Sequence, residues 1–72
     1  MNTYIFVELA SEAEIMNAVL DEGYTMLDWS FMVFDVIEVR EGTELHCEFD
    51  NHQDAQAFVF LLEKAGFDVE VK

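Results

Sequence analysis

The chain has 72 residues, room for one domain and no more. With 53% of its residues hydrophobic and 14% aromatic it is not a disordered acidic tail. Sixteen Asp and Glu stand against only Arg40, Lys64 and Lys72, a formal net charge of −13 that excludes direct nucleic-acid binding and docking on anionic membranes, because both need cations to meet phosphates.

A small soluble domain usually carries a net charge of about 2–8 in magnitude. Self-repulsion at −13 costs stability, and the partner that compensates for it is a basic protein surface. Solubility alone is the competing explanation of the acidity. Cys47 is the only cysteine, so no internal disulfide forms and a reducing, cytoplasmic location is expected. No run approaches the roughly 18 apolar residues of a membrane span. Met1-Asn2-Thr3-Tyr4 lacks the basic start of a signal peptide.

In chain order, residues 3–9 are β-branched and aromatic and predict a strand, apolar on both faces as in a sheet centre. Ser11-Glu12-Ala13-Glu14 forms a capping box that opens a helix over 11–22, and Gly23 supplies its left-handed end. Residues 24–29 read as an irregular stretch or a short strand, with Trp29 as a core anchor or an interface hot spot. Residues 31–40 predict a long strand, and Glu41-Gly42-Thr43 a turn. A three-residue loop there places Val33 and Ile37 inward, whereas a two-residue loop exposes Ile37 and Val39; burial favours the first.

Residues 44–50 alternate, with Leu45, Cys47 and Phe49 inward and Glu44, His46, Glu48 and Asp50 outward. Asp50 or Asn51 then caps a helix whose buried stripe is Ala55, Phe58, Val59, Leu62 and Ala65, ended by Gly66. Phe67, Val69 and Val71 alternate with Asp68, Glu70 and Lys72 in a last, edge strand.

This β-α-β-β-α-β order resembles the ferredoxin-like split βαβ fold. The resemblance implies an α+β domain, residues 1–72, with an antiparallel four-stranded sheet in the order 4-1-3-2 and two helices on one face. The other face is then bare. Strand alternation gives it an apolar centre of Tyr4, Phe6, Met32, Phe34 and Val36, rimmed by acids including Glu8, Glu38, Glu44, Glu48 and Asp50. Such a patch marks an interaction surface. RNA-recognition domains share the topology and stack bases on the same face, but the charge here has the wrong sign.

Catalytic and metal-binding patterns are missing. Gly23, Gly42 and Gly66 are scattered, and one Cys with two His makes no zinc site. Asp50-Asn51-His52-Gln53-Asp54 lacks the glycine and the closing Glu of a calcium loop, and reads as a helix start. Acylphosphatases share the ferredoxin-like fold but need an arginine-bearing phosphate loop, which this chain lacks. No cofactor, no metal and no catalysis are therefore expected, and Cys47 is a core residue rather than a nucleophile.

In size, charge and simplicity the chain resembles the small acidic phage-encoded inhibitors, among them anti-restriction and anti-CRISPR proteins. That resemblance implies a non-catalytic binding module in the host cytoplasm, acting by DNA mimicry on the basic surface of a nucleic-acid enzyme. Glu8, Glu38, Glu44, Glu48, Asp50 and Asp54 are the carboxylates expected to meet that surface. The alternative is a structural or regulatory protein that homodimerises, or docks, through the apolar sheet face.

Overall fold

Local signals set most elements of the computed structural model, which describes residues 1–72. They run β1 (Asn2–Glu8), α1 (Glu12–Asp21), α2 (Met26–Met32), β2 (Val33–Val39), β3 (Gly42–Glu48), α3 (His52–Lys64) and β4 (Asp68–Val71). Ser11 caps α1 as expected, accepting from the Glu14 N–H while the Glu14 carboxylate accepts from the Ser11 N–H. Asn51, not Asp50, caps α3, its Oδ1 accepting from the Asp54 N–H at 2.9 Å.

The four strands form one antiparallel sheet in the order β2-β3-β1-β4, which is the expected order read from the opposite edge. The element order is not the expected one. Residues 26–32, read as irregular or extended, are a third helix. Thr25 and Asp28 form a second reciprocal capping box, and Trp29 turns inward to anchor the helix in the core.

One core serves the whole chain. Thr3, Ile5 and Val7 of β1 and Thr43, Leu45 and Cys47 of β3 are buried along one sheet face. Ile15 and Val19 of α1, Trp29 of α2, and Ala55, Phe58, Leu61 and Leu62 of α3 cover them. The Thr43 hydroxyl donates to the Ala10 carbonyl at 2.6 Å, so this polar side chain is satisfied inside. All three helices thus lie on one side, and the opposite sheet face has no cover.

The β2–β3 hairpin departs from the expected register. The chain reverses over Arg40 and Glu41, and Val39 pairs with Gly42. This is the two-residue loop, so Ile37 stands opposite Glu44 on the bare face rather than in the core. A bulge at Phe34/Asp35 then shifts the strand by one residue. It returns Val33, opposite Cys47, to the buried side. The bulge thus reconciles a buried Val33 with exposed Ile37 and Val39.

Candidate functional site

Alternation along β1 and β3 sends Tyr4, Phe6 and Glu8, with Glu44, His46 and Glu48, to the bare face. From β4, Asp68 and Glu70 stand opposite Glu8 and Phe6 on that face. From β2 come Ile37, Val39 and the bulged pair Phe34 and Asp35. Tyr4, Phe34, Ile37 and Val39 are 43%, 54%, 41% and 49% exposed, so apolar surface lies open to water here.

Two of the expected apolar residues sit elsewhere. Met32 ends α2 instead of lying in a strand. Val36 stands opposite Leu45 and packs on the core, because the two-residue loop fixes the register between bulge and turn. Ile37 and Val39 take their places. Tyr4, Phe6 and Phe34 are on the bare face as expected.

The carboxylates divide likewise. Glu8, Glu44 and Glu48 lie on the bare face. Glu38 points to the helix side, where its Oε2 accepts from the Glu12 N–H at 3.3 Å and serves the start of α1. Asp50 and Asp54 flank the start of α3, where with Glu48 they border a groove of about 330 Å³ walled by Tyr24, Phe31 and Met32. Acids also line α1 and α2, at Glu12, Glu14, Asp21 and Asp28, so negative charge surrounds the molecule. The bare face is distinguished by combining that charge with exposed apolar surface.

At its centre is a cluster that sequence reasoning missed. The His46 ring stacks on Tyr4 with centroids 4.3 Å apart and meets the edge of Phe34 at 6.1 Å. Its Nε2 donates to Glu44 Oε2 at 3.0 Å, and its Nδ1 lies 3.9 Å from Asp35 Oδ2. The bulge makes this possible, because Phe34 and Asp35 both turn to the single residue His46. Beside it, the Lys72 ammonium lies 3.4 Å from Glu44 Oε1 and 5.1 Å from the centre of the Phe6 ring. The hydrogen bond from His46, supported by Lys72, holds the Glu44 carboxyl below the usual carboxylate range, against a smaller upward push from burial.

Cys47 lies directly behind this cluster, on the core side of β3. Burial alone pushes its thiol up to about 12, so at neutral pH it carries no thiolate to attack or to bind metal. No three His, Cys, Asp or Glu side chains come together in a metal-holding group. No helix is long and apolar enough to cross a membrane.

Compared with known proteins, the chain matches no family model, no curated protein and no solved structure.

Proposed function

We propose that this chain is a non-catalytic protein-binding module that docks on a basic protein surface through its bare sheet face. The observation that carries this is the composition of that face. Tyr4 and Phe6 of β1 and Phe34, Ile37 and Val39 of β2 form two apolar strips on either side of Glu44 and His46 of β3, and Glu8, Asp35, Glu48, Asp68 and Glu70 share the face with the single cation Lys72. The apolar strips supply burial energy, and the charges between and around them supply steering and choice of partner. With a net charge of −13 behind the face, a Lys/Arg-rich partner is drawn to it over a long range at low salt.

The partner class proposed is a nucleic-acid-binding protein whose phosphate-binding surface the carboxylates occupy, as in the small acidic phage inhibitors that this chain resembles in size and charge. Two copies of the chain meeting face to face would oppose like-charged surfaces, so charge favours a basic partner over a homodimer. The strand order is the ferredoxin-like one, with the extra helix α2 on the already covered side, so the other face stays open to a partner.

The test is capture of partners from host lysate on the tagged domain, washed at low and then high salt. The expected result is a Lys/Arg-rich nucleic-acid-binding protein that is retained at low salt and released at high salt. Recovery of the chain's own copies alone, resistant to salt, sinks the proposal in favour of homodimerisation.

A further inference from the structure

Lys72 occupies a ready-made cradle for a cation. Its Nζ sits 3.4 Å from Glu44 Oε1 and 5.1 Å from the Phe6 centroid, within cation–π range. The cradle is held in place on two sides. Glu44 is fixed by the 3.0 Å hydrogen bond from His46, which is itself clamped between Tyr4 and Phe34. Phe6 lies midway along β1, paired with Glu44 on one side and Glu70 on the other. The wall beneath Phe6 is backbone, since Gly42 has no side chain to push the ring outward.

The chain's other lysine makes a useful contrast. Lys64 Nζ, at the end of α3, reaches Glu22 Oε1 at the C-cap of α1 at 3.6 Å, with no aromatic ring beneath it. Lys72 is thus the one cation held by both a carboxylate and a ring, and it lies on the face that carries six carboxylates.

We infer that the Phe6–Glu44 cradle is the recognition point for a lysine or arginine side chain of the basic partner, and that Lys72 is a resident stand-in which the partner's cation displaces. This rests on the reading of the bare face as the docking surface. An exposed ion pair is weakly held, so Lys72 gives way without disturbing the fold. While in place it covers the ring and satisfies the carboxylate, and so sets a threshold against weak, non-specific cations.

The test compares Lys72→Gln with Lys64→Gln, two variants that remove the same charge and free one carboxylate each. Acetylated trilysine amide is titrated into each at low salt, and backbone amide and ring resonances are followed by NMR. Removing the stand-in is expected to tighten trilysine binding about two- to fivefold relative to Lys64→Gln, with the largest shifts at Phe6, Glu44 and His46. Equal affinity in the two variants, or shifts centred on the helices, overturns the cradle and leaves the basic-partner reading standing. No binding to the wild type or to either variant overturns both.

Discussion

Replacing Gly42 by alanine tests the hairpin register, and with it the identity of the exposed face. Gly42 has φ +153, pairs with Glu8 on one side and Val39 on the other, and is buried. A Cβ there would collide with the Val7 carbonyl oxygen and come to 2.9 Å from Phe6 Cζ and 3.0 Å from Glu8 Cα. The obstacle is mostly backbone of the central strand, which has no rotamer to change. Positive φ costs an L-residue about 1–2 kcal/mol, and forcing a methyl into a packed site about 1–3 kcal/mol more. The sum is about 2–5 kcal/mol, against a whole-domain stability of about 4–11 kcal/mol at this length.

Gly23 is the control. It also has positive φ, at +98, but nothing lies within 4 Å of its Cβ position, so alanine there carries the positive-φ cost alone, about 1–2 kcal/mol. Thermal unfolding followed by circular dichroism reads the difference, since each kcal/mol is worth about 4–8 °C in a domain of this size. Gly42→Ala is expected to lose at least about 4 °C more than Gly23→Ala, the worth of the added clash of about 1–3 kcal/mol. If Gly42 instead belonged to a solvent-exposed three-residue loop, the two losses would match, and that result refutes the register and the exposure of Ile37 and Val39.

Two further outcomes follow from the site. The Glu44 carboxyl is depressed in the folded state, so its contribution to stability is present above the unfolded carboxylate range and is lost as pH falls through the lower folded value. The stability difference between wild type and Glu44→Gln, measured by urea unfolding, therefore shrinks as pH drops through and below that range; a difference independent of pH contradicts the His46–Glu44 bond. Cys47, with its thiol pushed up to about 12 by burial, is expected to react with a disulfide reagent only as fast as the domain opens. Immediate stoichiometric labelling of the native protein at neutral pH disproves its burial.

Much of the fold is legible in single residues. The Ser11–Glu14 box, the β3 alternation around Leu45 and Cys47, and the α3 stripe around Phe58 and Leu62 each state their element by period or cap. The stripe differs at its end, where Ala65 is exposed and Leu61 is buried. α2 was written in the Thr25–Asp28 box, but seven residues span barely two turns of periodicity, and Phe31 and Met32 read equally well as strand. What holds that helix is Trp29 in the core, a tertiary contact. The bulge leaves no mark in composition. Because one inserted residue flips everything beyond it, each simple register explains only one half of β2. Alternation therefore places Tyr4 and Phe6 of β1 on the bare face, whereas of Met32, Phe34 and Val36 only Phe34 lies there. His46 was visible as an outward residue, but its clamp needs Phe34 and Asp35 turned to the same side, which only the bulge supplies.

The central claim is that the bare face, not the general acidity, engages a basic partner. Two triple variants decide it: Glu8→Gln/Glu48→Gln/Glu70→Gln on the bare face and Glu14→Gln/Glu22→Gln/Glu63→Gln on the helix side, each removing the same charge. Association of each with the captured basic partner is measured at low salt by surface-immobilised kinetics. The account predicts that the bare-face triple weakens binding at least about tenfold more than the helix-side triple, a difference of about 1.4 kcal/mol. Equal losses would mean that the charge acts as a diffuse cloud and that the bare face is not the docking surface.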